Sequence, residues 1–229
     1  MNQVNYLIAS HHSWNKKNFE EIKKRRDLGN FYFISQKEDL TLDFLNQIKP
    51  RYIFFPHWSH IVPQKIINSY ECVCFHMTDL PYGRGGSPLQ NLIIRGLKDT
   101  KISALRMTEV LDGGPIYTKR NLSLSGRAEN IYKRASKIIF NIIIDLVTKN
   151  PVPKKQEGKV TKFKRRVPSD SAIDNVKSLE SLFDFIRMLD APDYPKAYIE
   201  DDNFRYNFTN VKLNSDNELI ARVNIKKKD

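Results

Sequence analysis

The sequence predicts an α/β fold: a doubly wound, mostly parallel sheet, followed by a small α+β subdomain. Three observations carry that prediction. Short continuous apolar runs recur at residues 6–9, 31–34, 52–55 and 72–75. Between them lie segments whose apolar residues fall at helical spacing. Strands apolar on both faces and joined through helices pair in parallel, with both faces of the sheet covered. The third observation is a change of pattern after residues 151–162, a polar stretch with two prolines and a glycine.

Taken in order, Tyr6-Leu7-Ile8-Ala9 is the first strand, and residues 14–26 form a helix with Trp14, Phe19 and Ile22 as its sparse apolar positions. Phe31-Tyr32-Phe33-Ile34 is the second strand. Leu42, Leu45 and Ile48 are spaced for an amphipathic helix that must stop before Pro50. Tyr52-Ile53-Phe54-Phe55 is the third strand, residues 61–69 a helix, and Cys72-Val73-Cys74-Phe75 the fourth strand. Beyond a glycine-rich loop, residues 88–96 read as a short helix and residues 102–107 and 116–124 as strands. Ile131, Ala135, Ile138, Ile139, Ile142, Ile143 and Leu146 then give the cleanest helical stripe in the chain, ending near Asn150 and Pro151. The boundaries follow: a first domain at 1–150, a linker at 151–162 and a subdomain at 163–229. In the subdomain, Leu179, Leu182, Phe183, Ile186 and Leu189 mark one helix with Ser178 as its N-cap. Short strands follow around 198–199, 205–208 and 219–225.

Composition narrows the class. The chain has 229 residues, 40% apolar and 28% charged, which is ordinary for a soluble globular protein. No run approaches the roughly 18 apolar residues of a membrane span. The first residues lack a basic region and a cleavage pattern, so a cytoplasmic protein is expected, with no membrane partner. Cys72 and Cys74 are the only cysteines; two apart on one strand, they neither bond each other nor make a zinc site, and no metal is expected. The net charge of +12 favours anionic partners, among them nucleic acid, nucleotide diphosphates or a polyglutamylated cofactor. Its local excess lies at Lys154-Lys155, residues 162–166 and Lys226-Lys227-Lys228, and solvated surface with a frayed tail is the plainer reading of these runs.

His76 is the leading candidate for chemistry. It closes the fourth strand and opens a loop containing Gly83, Gly85 and Gly86, the place where open α/β sheets put their sites. Asp112, ahead of Gly113-Gly114-Pro115, suits either a carboxylate partner for that histidine or a turn-forming aspartate. His11, His12, His57 and His60 are read as structural, although His57 and His60 follow the next strand and are placed to line the same cleft. A dinucleotide fingerprint is excluded, because its glycines belong after the first strand and Ser10-His11-His12-Ser13 contains none.

The block Phe75-His76-Met77-Thr78-Asp79-Leu80-Pro81, the loop Arg84-Gly85-Gly86-Ser87-Pro88 and the loop Leu111-Asp112-Gly113-Gly114 together resemble the folate-dependent formyltransferase family. The match covers roughly residues 50–120. It implies a Rossmann-like formyltransferase fold, with 1–150 as the catalytic domain, and N10-formyltetrahydrofolate as cosubstrate. By the resemblance, His76 carries the proton while an amine attacks the formyl carbon, and Asp112 sets its tautomer and charge. The family's oxyanion-stabilising asparagine aligns with Cys74, a poorer donor. The resemblance places the cosubstrate's ring near Trp58, Ser59, Ile61 and Val62 and in the loop of Val110, Leu111, Gly114 and Ile116. It places the acceptor near Tyr82, Arg84, Gly85, Gly86 and Arg166.

Residues 165–174, 185–189 and 192–198 look like the segment that follows the catalytic domain in nucleotide-sugar N-formyltransferases. The resemblance therefore implies formylation of a nucleotide-linked amino sugar, a UDP- or dTDP-linked 4-amino-4,6-dideoxyhexose used for surface glycan. It also implies a homodimer and no nucleic-acid partner. The alternatives are a methionyl-tRNA formyltransferase, a formyltetrahydrofolate hydrolase, or a catalytically impaired binding homologue in which Cys74 marks the loss.

Overall fold

The computed structural model describes residues 3–215 and 217–228. Its elements are β1 (Asn5–Ala9), α1 (Ser13–Ile22), β2 (Asn30–Ile34), α2 (Leu42–Ile48), β3 (Tyr52–Phe55), α3 (Gln64–Ser69), β4 (Cys72–His76) and β5 (Arg84–Gly85). There follow α4 (Pro88–Ile94), β6 (Asp99–Arg106), β7 (Ile116–Ser123), α5 (Ala128–Lys149), β8 (Lys162–Phe163), α6 (Leu179–Arg187), β9 (Ala197–Glu200), β10 (Phe204–Ser215) and β11 (Glu218–Lys227). The chain groups into two compact units. The first is Met1–Gly85, Lys101–Leu122 and Lys133–Lys162; the second is Gly86–Thr100, Ser123–Tyr132 and Phe163–Asp229.

The central sheet has the order β2-β1-β3-β4-β6-β7. β1 pairs in parallel with β2 and β3, and β3 with β4, as the apolar runs predict. β4 pairs antiparallel with β6, so the sheet is mixed and mostly parallel. The register sets each face. Tyr6 lies opposite Phe31 and Tyr52, and the ring centroids of Tyr6 and Phe31 are 5.0 Å apart. On the other face Leu7, Ala9, Ile53, Phe55 and Cys72 bury against Leu45 and Ile48 of α2 and Ile66 of α3. Each fully buried Leu, Ile or Phe of this kind contributes about 1.5–3 kcal/mol.

Local signals fix the helix ends. Thr41 accepts a hydrogen bond from the Phe44 N–H at 3.2 Å, and α2 stops at Lys49, whose φ of 45° is left-handed, before Pro50. The helix predicted at 61–69 begins only at Gln64. Pro63 is its N-cap, and Ile61, counted in the sequence as a helical apolar residue, is 97% exposed. The helix predicted to Arg26 ends at Ile22.

In the second unit, Ser178 accepts from the Ser181 N–H at 3.2 Å, the cap the sequence predicts for α6. The β10–β11 hairpin is longer than the short alternating segments suggested, with 12 and 10 residues. β9 completes a three-stranded antiparallel sheet of order β11-β10-β9. Among the described residues no helix is long and apolar enough to cross a membrane.

Candidate active site

The site lies in the first unit, beyond the carboxyl ends of parallel strands. His76 is the last residue of β4 and 8% exposed. Its Nε2 lies 2.8 Å from the Gly83 carbonyl oxygen. A carbonyl only accepts, so Nε2 carries a hydrogen and Nδ1 carries the lone pair of the neutral ring. Nδ1 lies 3.6 Å from Oδ2 of Asp112. Asp112 has a left-handed φ of 51°, suited to a turn aspartate, and its carboxylate faces the histidine. The same Oδ2 accepts from the Gly85 N–H at 2.9 Å, which ties the two loops together.

A layer behind this pair comes from a segment that sequence reasoning took for a linker. The Gln156 amide donates to the carbonyls of Asp112 and Gly114, both at 2.8 Å, and its oxygen accepts from Arg84 Nη2 at 2.8 Å and Nε at 3.2 Å. Thr161 Oγ1 accepts from the Gly83 N–H at 2.7 Å. Gln156 and Thr161 thus fix the two backbone stretches that hold the imidazole. No signal in the sequence marks them, since both sit among polar loop residues.

Cys74, two residues before His76, is half-buried. Burial, and then the charge of Asp112, push its thiol far above the ordinary value, so it is a neutral S–H group and not a thiolate nucleophile. Cys72 is buried and its thiol is pushed up to about 12 by burial. Of the positions expected against the cosubstrate, Ile61, Val110 and Leu111 display large apolar side chains at 97%, 59% and 73% exposure. Val62 instead turns into the core, Ser59 is exposed and Ile116 is half-buried, exchanging backbone hydrogen bonds with Lys154. Trp58 is half-buried, and its indole Nε1 is buried with no acceptor. Gly114 admits no side chain, because a Cβ there would lie 1.8 Å from the Arg106 carbonyl oxygen. Exposed apolar side chains at three of these positions suit a flat, largely apolar group.

Of the positions expected against the acceptor, Tyr82 and Arg84 are half-buried in the first unit, and the Arg84 guanidinium is bound to Gln156. Gly86 and Arg166 belong to the second unit. A Cβ on Gly86 would lie 2.4 Å from that of Arg165, and Arg166 packs its guanidinium over the Phe185 ring at 5.6 Å and donates to the Asp170 carbonyl. Among the described residues no group of three His, Cys, Asp or Glu side chains is placed to hold a metal ion.

An imidazole held between a carbonyl and a carboxylate, at the carboxyl edge of a mostly parallel sheet, is an arrangement able to take up and return a proton. The known proteins this chain resembles give the chemistry it serves. The family described as the methionyl-tRNA formyltransferase C-terminal domain matches residues 168–226. A solved structure of a methionyl-tRNA formyltransferase from Clostridium thermocellum is 48% identical, with a TM-score of 0.95, over 98% of this chain and 100% of that one. The chain belongs to the formyltransferase family, whose formyl donor is N10-formyltetrahydrofolate. Among curated relatives, the bifunctional polymyxin resistance protein ArnA of Wigglesworthia glossinidia brevipalpis is 28% identical over 82% of this chain and 30% of its own length. The methionyl-tRNA formyltransferase of Thermodesulfovibrio yellowstonii is 26% identical over 66% of this chain and 52% of its own. The chain therefore spans about half the length, or less, of these curated relatives. HypX from Aquifex aeolicus, solved with tetrahydrofolic acid, shares the fold at a TM-score of 0.75 and 15% identity, over 92% of this chain and 38% of that one.

These findings correct the acceptor. The sequence reading of an enzyme for nucleotide-linked amino sugars, with no nucleic-acid partner, is overturned by the 48% identity to a methionyl-tRNA formyltransferase across nearly the whole chain. A likely sugar N-formyltransferase from Mycobacterium tuberculosis is 17% identical at a TM-score of 0.69, over 87% of this chain and 93% of that one, which is a likeness of fold alone. The tail that suggested sugar enzymes falls largely within the matched methionyl-tRNA formyltransferase C-terminal domain. Short motifs around a small turn were outweighed by similarity spread over the whole chain.

Proposed function

We propose that this protein transfers the formyl group of N10-formyltetrahydrofolate to the amino group of methionyl-tRNA. The observation that carries this reading is the 48% identity, over 98% of the chain, to a protein described as a methionyl-tRNA formyltransferase. The net charge of +12 agrees with a polyanionic acceptor.

When bound, N10-formyltetrahydrofolate supplies the activated formyl carbon. Ile61, Val110 and Leu111 would hold its ring by apolar contact, with the half-buried Trp58 ring as a further apolar surface. His76 does the proton work. Because Nε2–H is committed to the Gly83 carbonyl, the basic lone pair is on Nδ1, and Nδ1 takes the proton that the attacking amine must lose. The charge that arrives on the imidazole is met by Asp112 Oδ2 at 3.6 Å. Asp112 stays in place because Gly85 N–H grips its carboxylate and Gln156 grips its carbonyl. The proton then returns from Nδ1 to the departing nitrogen. Cys74 offers a weak S–H donor where the resemblance places an amide.

The test is to incubate the protein with N10-formyltetrahydrofolate and methionyl-tRNA, hydrolyse the ester, and look for formylmethionine by mass spectrometry. Formylmethionine made by the wild type and lost in His76→Ala supports the reading. Folate turnover without formylmethionine would sink it.

A further inference from the structure

We infer that the second unit holds a binding site for a free basic amino acid, in a cavity of about 390 Å³ between α6 and the loop that follows β7. Such a ligand has a carboxylate and a terminal ammonium at opposite ends of an apolar stem. The site uses none of the residues assigned to formyl transfer.

One face of α6 forms the long wall. Glu180, Phe183, Asp184 and Arg187 fall at positions i, i+3, i+4 and i+7 of that helix, and all four line the cavity. Glu180 and Arg187 therefore stand two turns apart, roughly 10 Å along the axis. Leu124 from the facing loop and Leu213 from β10 add apolar surface beside Phe183. The volume is within the range of small-molecule sites.

Arg187 is the anchor. It is 4% exposed, and among the described residues it is the only buried lysine or arginine. Its Nε donates to Asp184 Oδ1 at 2.6 Å, and its Nη1 donates to the carbonyls of Leu124 and Gly126 at 2.6 and 2.8 Å. The Phe183 ring, 5.5 Å from the guanidinium carbon, completes the clamp. Nη2 makes no hydrogen bond to any described residue, and it is not sealed from solvent. Because Arg187 is otherwise buried and lines the cavity, this nitrogen opens on it. A fork fixed at Nε and Nη1 presents the N–H groups of Nη2 in advance, which suits a carboxylate oxygen.

Charge selects the rest of the ligand. Lys98 Nζ lies 4.0 Å from Asp184 Oδ2, so the Arg187 end carries two cations against one carboxylate. Asp99 and Glu180, both exposed, line the same cavity and form no ion pair with a described residue. The five charged groups of the lining leave one net negative charge, which the single positive charge of a basic amino acid offsets. A lysine's flexible four-carbon stem bridges the span from Arg187 to Glu180 across Phe183. A simple carboxylic acid would leave Glu180 unmatched, and a diamine would leave Nη2 unmatched.

The experiment is isothermal titration calorimetry of the full chain with L-lysine, cadaverine (the carboxylate removed) and L-norleucine (the terminal ammonium removed). L-lysine is expected to bind saturably at one site per chain. Cadaverine and norleucine should each bind at least about tenfold more weakly, the loss of one charged hydrogen-bonded group. Glu180 is exposed, so Glu180→Gln should keep the wild-type melting temperature while weakening L-lysine at least about threefold and leaving norleucine within about twofold. Arg187→Lys should abolish binding of L-lysine; if that variant does not fold, the three ligands and Glu180→Gln still decide. Saturable L-lysine binding that needs both the carboxylate and Glu180 supports the site. No heat with L-lysine up to about ten millimolar, equal binding of all three ligands, or L-lysine affinity unchanged in Glu180→Gln overturns it.

Discussion

The carboxyl edge of the first unit and the α4 face of the second treat charge in opposite ways. Around His76 every charged group has a partner: Asp112 faces the histidine and takes the Gly85 N–H, and Arg84 is bound to Gln156. On the α4 face the exposed Arg95 guanidinium is ordered by stacking on the Phe163 ring and by two bonds to Asn91, with no acid among the described residues within ion-pair distance. Near His76 pairing with acids and amides fixes each charge, whereas on the α4 face packing against a ring and bonds to one amide residue fix an exposed one.

The largest expected effect is at the satisfied site. His76→Ala should lower the rate of formyl transfer by about 100- to 10,000-fold, the usual range for a lost general base, with little change in melting temperature. Steady-state kinetics beside a thermal melt checks this. A large loss of stability would mean that His76 is there for packing. Gly114→Ala comes next, because its Cβ would meet the Arg106 carbonyl at 1.8 Å. The backbone cannot yield as a flexible side chain would, so a loss of about 1–3 kcal/mol in denaturant unfolding is expected.

Glu71→Gln probes pairing without chemistry. Burial pushes this carboxyl up, but hydrogen bonds from Tyr117, Arg106 and Arg51 outweigh burial and leave it below its ordinary value. A depressed carboxylate stabilises the fold above its unfolded pKa, and that contribution is lost as pH falls through the folded value. The variant should be less stable by about 1–3 kcal/mol at neutral pH, with the difference shrinking in acid. Chemical unfolding at two pH values measures it, and a loss that stays constant into acid would show that the ion pairs are not its source.

What the sequence disclosed, and what it hid, follows the same division. β1, β3 and β4 were legible because a strand buried on both faces must be apolar at every position. His76 and Asp112 were legible because a titratable residue at such a strand's end is conspicuous. Gln156 was not: an amide that braces two loops looks like any polar residue in a loop. β10 and β11 were underestimated because most of their side chains are exposed, so apolar alternation fades while the backbone ladder continues. The acceptor was misread for a related reason. The residues shared by formyltransferases report the proton chemistry, and a short turn near Pro195 gave too little to tell a sugar from an RNA.

The smallest effect tests whether burial alone governs a titration away from the proposed proton carrier. His57 follows β3 with a left-handed φ of 52°, and Asn15 and Trp14 lie against its Nδ1 at 3.3 and 3.4 Å. Burial first, then the neighbouring charges of His12 and His11, lower its pKa to about 3. The unfolded chain therefore binds this proton near pH 6.5 and the folded chain only near pH 3, so the fold loses stability as pH falls between those values. Over that window the slope approaches about 1.4 kcal/mol per pH unit for a single group. Asparagine tolerates the left-handed backbone and does not titrate, so His57→Asn should flatten the acid side of the stability curve while leaving the rate of formyl transfer within about twofold of wild type. Urea unfolding at intervals between pH 4 and 7 reads the slope. An unchanged slope would assign the acid loss to the carboxylates, and a large fall in rate would move His57 from the frame of the sheet into the site itself.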